Sequence, residues 1–335
     1  MPVKGYAAPA AGRPLEPFGF EPPPLGPHDV EIAVSHCGIC HSDIHLIDDD
    51  WGMSRYPLVP GHEVVGHVAA LGAEVGHLKP GQRVGVGWQA GSCLACEWCL
   101  RAQESACPHQ VATCVGRPGG FAETLRVDSR FAFPLPDGLA AAAAAPLLCA
   151  GATVYTPLRE AARPAMAVGV IGVGGLGHVA LQFARAFGCE VTAFSTSPDK
   201  ENEARRLGAH RFVHARDAAQ MKRAAASCDL LLSAVTVALD WPAWLGVLRP
   251  HGTLWLVGAS PGTLNVAPGA LAMGQKTIRG SVIATRAVMG EMLQFAARHD
   301  LGAQVEEMPL AEVNAALERV RRNQARYRMV LRVAD

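Results

Sequence analysis

The segment AVGVIGVGGLGHVALQFARAFGCEVTAFST, residues 167–196, constrains the fold more than any other part of the chain. A β-branched run, a glycine turn, an amphipathic stretch and a second apolar run follow one another, which is the pattern of a βαβ unit. The turn reads Gly172-Val173-Gly174-Gly175-Leu176-Gly177. In that setting the first glycine makes the tight bend, the second lets a pyrophosphate approach the backbone, and the third lets helix and sheet pack closely. The helix that follows offers free N–H groups and a positive dipole end to phosphates. Further apolar runs, CDLLLSAV, GTLWLVGA and TIRGSV, alternate with helical stretches, so the sequence predicts an α/β fold with a doubly wound parallel sheet.

The choice of dinucleotide rests on the end of the second strand. A site for NAD usually presents an acidic residue there to bind the ribose 2′-hydroxyl. Here the strand ends in Ser195, Thr196 and Ser197, with Lys200 close behind; Glu190 lies at its start and Asp199 beyond the hydroxyls. Hydroxyls and an ammonium suit a 2′-phosphate, so NADP(H) is the expected cofactor.

A chain of 335 residues is long for a single core, and two domains are expected. The first third carries short β-rich runs, VEIAVSHCGIC, VVGHVAALG and QRVGVGW, set between Gly and Pro, which suggests a mainly antiparallel, barrel-like domain. The pattern changes near residue 150. The expected division is residues 1–150 with 285–335 as a catalytic domain and 151–284 as the dinucleotide-binding domain. An alanine-rich run from Leu139 to Ala145 reads as helix, and the tail as two helices and a final strand, RYRMVLRV.

Net charge is zero and no basic run stands out, which argues against a nucleic-acid surface. The first twenty residues lack the basic start and apolar core of a secretory signal, and no apolar stretch reaches membrane-spanning length without breaks. Ten cysteines with widely separated spares (Cys37, Cys114, Cys189, Cys228) fit a reducing cytoplasm better than a disulfide framework.

Cys93, Cys96, Cys99 and Cys107 form Cys-x2-Cys-x2-Cys-x7-Cys. Four thiolates at that spacing close a tetrahedral shell around one Zn²⁺ and leave no place for substrate, so the site reads as structural. A second metal is sought among Cys40 in CGICHSDIH, His62 and Glu63 in PGHEVVG, and Cys149 in PLLCAG. Cys, His and Cys would give three ligands and an open fourth position, with Glu63 available as an exchangeable ligand.

These motifs resemble the zinc-dependent medium-chain alcohol dehydrogenases over nearly the whole length. The signature Gly-His-Glu-x2-Gly-x5-Gly-x2-Val runs from Gly61 through Gly66 and Gly72 to Val75. DWGMSRYPLVPGHE, LLCAGATVY and the Ser-Thr-Ser-x2-Lys turn are similar to the cinnamyl alcohol dehydrogenase branch and its bacterial NADP-dependent aldehyde reductases. The resemblance implies a GroES-like catalytic domain beside the Rossmann sheet and two Zn²⁺ per chain. It places catalytic zinc on Cys40, His62 and Cys149 and structural zinc on the four-cysteine loop. It implies that Ser42 bonds the substrate oxygen and His45 passes the proton onward. It puts His41, Thr153 and Gly258 beside the cofactor, and implies a homodimer joined through the cofactor-domain sheets near TIRGSVIATR. Ala150, Ala152 and Ala234 depart from the branch without removing a ligand or a proton donor.

The expected reaction is reversible hydride transfer between NADP(H) and a primary alcohol/aldehyde pair, aromatic or aliphatic. An NAD-dependent zinc polyol dehydrogenase and a non-enzymatic zinc-thiolate redox sensor are the competing classes. Asp48, Asp49 and Asp50 read as a solvated acidic loop. Trp51 and Trp88 read equally as pocket lining or as core.

Overall fold

Strand pairing in the segment Ala150–Ile283 follows from how completely its apolar runs are buried. The computed structural model describes residues 2–258 and 262–333. Its chain forms two compact units, Ala150–Ile283 and Met1–Cys149 with Ala284–Asp335. In the first, six parallel strands lie in the order Arg211–His214, Glu190–Ser195, Ala167–Ile171, Cys228–Ser233, Leu248–Leu256, Thr277–Gly280. Every residue of Ala167–Ile171 is buried, as a strand covered on both faces must be. The chain order reverses on either side of that strand, which creates a crevice at the carboxyl ends of the strands. The glycine turn occupies that point, and the helix Gly177–Ala186 starts from it. Of TIRGSV only Thr277–Gly280 is strand, and it forms an exposed edge. There Arg279 lies 4.1 Å over the Trp255 ring and 2.8 Å from Glu160.

The other unit is built on Asp29–Ile39. Its residues alternate between core and surface along the first half, with Val30, Ile32 and Val34 in the core. It pairs antiparallel with Glu63–Leu71, Thr124–Asp128 and Arg328–Arg332. Register shifts between Glu31 and Ile32 and between Val34 and His36 break the ladder to Glu63–Leu71. Strands Arg83–Val86, Phe133–Pro134 and Val305–Pro309 complete the seven-stranded sheet.

Two local features differ from the sequence reading. The strand stops at Ile39, and an eight-residue helix, His41–Asp48, follows with Cys40 as its N-cap. Asp43 at the third helical position accepts the Cys40 N–H at 2.9 Å, so this short helix is fixed by its cap and not by a long periodic face. The alanine run makes one α-turn, Ala141–Ala144, and then tightens to 3-10 geometry over Ala145–Leu148, where Pro146 lacks the N–H needed to continue. That tight turn ends at Cys149. The tail forms helices Arg286–Arg298 and Val313–Arg321 and the strand Arg328–Arg332.

Candidate active site and metal centres

The four-cysteine loop folds as short turns that bring its sulfurs together. Cys96 caps the helix Glu97–Leu100, Cys99 lies within it, and Cys107 follows the 3-10 turn Glu104–Ala106. The Sγ atoms of Cys93 and Cys99 are 3.9 Å apart, Cys96 and Cys107 3.8 Å, and Cys93 and Cys107 3.5 Å. A tetrahedron with Zn–S bonds of about 2.3 Å has edges of roughly 3.8 Å, so the cluster has the dimensions of a closed zinc site. The Cys96 N–H donates to Cys93 Sγ at 3.3 Å. The Ala95 and Cys96 backbone N–H groups hold the Cys93 thiol down at about 6, favouring the thiolate that a metal needs. Burial instead pushes the metal-free Cys107 thiol up to about 11.

A second donor set is wholly buried. Cys40, His62, Glu63 and Cys149 bring one ligand atom each to within 4.8 Å of the others. Gly61 makes this approach possible: its φ is +101°, and a Cβ there would stand 2.6 Å from the Phe121 ring. Asp43 Oδ1 accepts from His62 Nδ1 at 2.8 Å and from the Gly61 N–H at 3.0 Å. Asp43 therefore holds the Nδ1 proton, which leaves Nε2 as the nitrogen that faces the cluster and can ligate once its own proton is lost. His62 Nε2 and Glu63 Oε2 are buried polar atoms without a hydrogen-bond partner, as expected of atoms shaped for a cation. The other oxygen of Glu63 accepts from buried Arg328, which also donates to the Ile39 carbonyl at 3.0 Å.

In the metal-free protein the Cys40 and Cys149 thiols are hydrogen-bonded to each other. The hydrogen bond from Cys149 holds the Cys40 thiol well below its usual range, and the same bond pushes Cys149 up. Burial opposes charge on His62, but Asp43 and Cys149 outweigh it and raise the imidazole. Metal binding must displace such protons. Asp43, His62 and Cys114 also converge, yet Asp43 already takes the Nδ1 proton, so this trio is the outer wall of the same site.

Ser42 and His45 stand three residues apart on the helix His41–Asp48 and so share a face. Ser42 Oγ lies 3.7 Å from Cys40 Sγ. His45 Nδ1 is 2.7 Å from Asp50 Oδ2, and the His45 ring leans on Trp51 with centroids 5.1 Å apart. Trp51 meets Trp88 edge-on at 6.0 Å, and Trp88 meets the His62 ring edge-on at 5.1 Å. His41 opens the same helix.

The acidic run is thus not a solvated loop. Asp48 accepts two bonds from Arg321, Asp49 ends the helix and accepts the Ser54 N–H, and Asp50 holds His45. Asp43, Asp50 and Arg328 were missed from sequence. The first carries a signal, an acid three residues after a helix cap. Arg328 carries none, being 265 positions from Glu63.

In the unit Ala150–Ile283, Gly172 has φ +91° and its N–H donates to the Phe194 carbonyl at 2.8 Å. Lys200 Nζ donates to the Val173 carbonyl at 2.8 Å, which sets this ammonium against the glycine turn. Ser195 is buried, its Oγ accepting the Ser197 N–H at 3.1 Å, and Thr196 is exposed. Gly174, Gly175 and Leu176 are part-exposed and Gly177 is buried. The carboxylate nearest in sequence on that strand, Glu190, sits at its far end, 2.6 Å from Arg211. Thr153 is buried in the helix Ala150–Ala161, and the Gly258 N–H donates to the Ser233 carbonyl at the end of the neighbouring strand.

Comparison with known proteins agrees with this geometry. Residues 26–137 match the alcohol dehydrogenase GroES-like domain and residues 175–298 the zinc-binding dehydrogenase domain. An aldehyde reductase of Synechocystis sp. is 42% identical over 332 residues, covering 98% of each chain. The solved structure of a cinnamyl alcohol dehydrogenase from Sorghum bicolor superposes with a TM-score of 0.96 at 41% identity, covering 99% of this chain and 98% of that one. A cinnamyl alcohol dehydrogenase from Helicobacter pylori, solved in complex with NADP(H), gives 0.92 at 30% identity over 99% and 98%.

Proposed function

The chain belongs to the zinc-dependent medium-chain alcohol dehydrogenases, in their cinnamyl alcohol dehydrogenase-like branch, and from that membership we propose a specific activity: NADP(H)-dependent interconversion of primary alcohols and aldehydes. One observation carries the reading. Two thiols, an unpartnered imidazole nitrogen and an unpartnered carboxylate oxygen converge in a buried pocket of the catalytic unit, a donor set that fits zinc.

Bound zinc supplies Lewis acidity toward an alcohol or carbonyl oxygen, and bound NADP(H) supplies or takes up the hydride. Cys40, His62 and Cys149 would hold the zinc, with Glu63, tethered by Arg328, as an alternate ligand. Asp43 fixes the His62 ring. The Ser42 hydroxyl donates to or accepts from the substrate oxygen, since a hydroxyl can do both. His45, held by Asp50, carries that proton to or from solvent. The Trp51 and Trp88 rings favour a substrate with an apolar, planar body beside its reacting group.

Ser195, Thr196, Ser197 and Lys200 support NADP(H) over NAD(H), because hydroxyls and an ammonium offer donors to a 2′-phosphate, and the strand Glu190–Ser195 ends in a hydroxyl residue instead of the acid that binds a free 2′-hydroxyl. His41, Thr153 and Gly258 complete the cofactor contacts in this reading, and the glycine turn takes the pyrophosphate. The exposed edge strand Thr277–Gly280 supports a homodimer, and ten free cysteines support a reducing cytoplasm.

The test is a matrix of catalytic efficiencies, NADPH and NADH against aromatic and aliphatic aldehydes, with zinc measured on the same preparation. Two zinc ions per chain and faster aldehyde reduction with NADPH are expected. Equal or better efficiency with NADH refutes the cofactor assignment, and polyol oxidation without aldehyde reduction refutes the substrate class.

A further inference from the structure

Two adjoining cavities open at the amino-terminal edge of the six-stranded sheet, about 320 and 460 Å³ in volume, and they share His210. The strands Glu190–Ser195 and Arg211–His214 begin at this edge, and Ala165 just precedes Ala167–Ile171. The glycine turn follows the opposite end of Ala167–Ile171, some five residues or roughly 15 Å away at about 3.3 Å per residue. The groove is therefore separate from the crevice where a dinucleotide binds.

Its lining is cationic. Arg205, Arg211 and Arg223 line one cavity and Arg185 the other, against a single glutamate, Glu190. Arg205 is braced by Glu201 at 2.8 Å and by donation to the His210 carbonyl at 2.9 Å. Arg211 pairs with Glu190, but both side chains are about half exposed, and such a pair contributes little and exchanges readily. Arg185 and Arg223 make no salt bridge or side-chain hydrogen bond among the described residues, although the Arg223 charge reaches Asp217. His210 adds another donor. Its Nδ1 accepts the Val191 N–H at 2.9 Å, so the ring proton is on Nε2. Burial, and after it the Arg185 charge, hold this imidazole below its usual range, so the ring stays neutral within a positive potential.

We propose that this groove is a binding site for a small phosphate dianion, free or borne on a compact ester. Guanidinium forks match tetrahedral oxyanions two bonds at a time, and the lining offers donors far in excess of acceptors. The concave shape and the acids bonded to its lining, Glu201 on Arg205 and Asp217 on Gln220, suit a single small anion and oppose a polyanionic backbone.

The test is isothermal titration of sodium phosphate into zinc-loaded protein saturated with NADPH, so that the cofactor's own phosphate positions are filled. Chloride is matched for ionic strength. Millimolar saturable binding is expected. The double variant Arg211→Gln/Arg223→Gln should weaken it by about tenfold or more, one bidentate contact being worth roughly that factor, with turnover unchanged. Arg223→Gln alone, at an exposed helix end, gives an intermediate loss and stands in if the double variant does not fold. Phosphate binding equal in wild type and variants, or reproduced by chloride, overturns the proposal as an adventitious ion only. A compact phosphate ester that binds more tightly than inorganic phosphate, with the same dependence on Arg211 and Arg223, identifies the esterified form as the ligand. The result is independent of the aldehyde reductase assignment, since substrate and turnover play no part in the titration.

Discussion

Substituting alanine at Gly177 and at Gly174 should have opposite consequences, although the two glycines are three residues apart. A Cβ on Gly177 would stand 1.8 Å from the Gly172 carbonyl oxygen and 2.9 Å from its carbon. Real contacts of this kind stay beyond about 3 Å, so turn and helix must separate by more than about 1 Å. Neither can yield easily. Gly172 is held by its bond to Phe194 and by a backbone conformation at φ +91°, and the helix is buried along Gly177–Leu181. Overpacking costs about 1–3 kcal/mol, and a backbone obstacle belongs at the upper end. At roughly 2–4 °C per kcal/mol, Gly177→Ala should melt about 6–12 °C lower. A Cβ on Gly174 meets nothing within 4 Å, so Gly174→Ala should melt within about 1 °C of wild type. In the proposed cofactor site its methyl would instead stand where pyrophosphate approaches the backbone, and NADPH affinity should fall by about tenfold or more. Calorimetric melting and fluorescence titration with NADPH read both effects. A Gly177→Ala protein with wild-type melting, or a Gly174→Ala protein that loses stability yet keeps affinity, refutes the reasoning.

Three further outcomes follow from the sites. Asp43→Ala removes the acceptor for His62 Nδ1, and zinc at the Cys40 cluster should bind about 10- to 100-fold more weakly while the four-cysteine zinc stays, as metal titration against a chelator will show. Lys200→Ala removes the ammonium beside the glycine turn; the KM for NADPH should rise about tenfold with that for NADH little changed, and an equal effect on both cofactors defeats the 2′-phosphate assignment. In metal-free protein at neutral pH, iodoacetamide should modify Cys93 before Cys107, because Cys93 is thiolate above about 6 while Cys107 stays protonated up to about 11. Peptide mass mapping gives the order, and zinc should protect both.

Much of this was legible because its signals are local. The glycine turn lies within thirty residues of its flanking strands, and the four structural cysteines within fifteen, so periodicity and spacing carried both. The helix His41–Asp48 was not legible: eight residues are too few for a periodic face, and its strongest determinant is a reciprocal cap. The three aspartates that follow it show the same limit. Composition describes them as one solvated run, whereas each is separated from its neighbours by what it faces, Arg321, the Ser54 N–H or His45.

Arg328 shows how fold and site are joined. Glu63 lies at 0% exposure beside two thiols, an environment that disfavours a carboxylate unless a cation accompanies it. The cation arrives on the last strand, Arg328–Arg332, which pairs antiparallel with the end of Asp29–Ile39. That strand leads directly to Cys40, and its neighbour on the other side begins at Glu63. One set of ladder bonds therefore seats the last strand inside the seven-stranded sheet and carries the guanidinium to the carboxylate. Losing a single partner of such a pair costs about 3–5 kcal/mol, because the remaining charge stays buried. The C-terminal strand is thus as much a part of the metal centre as the residues that would touch the ion, although nothing in its own sequence, RMVLR, marks it as more than an edge of the core.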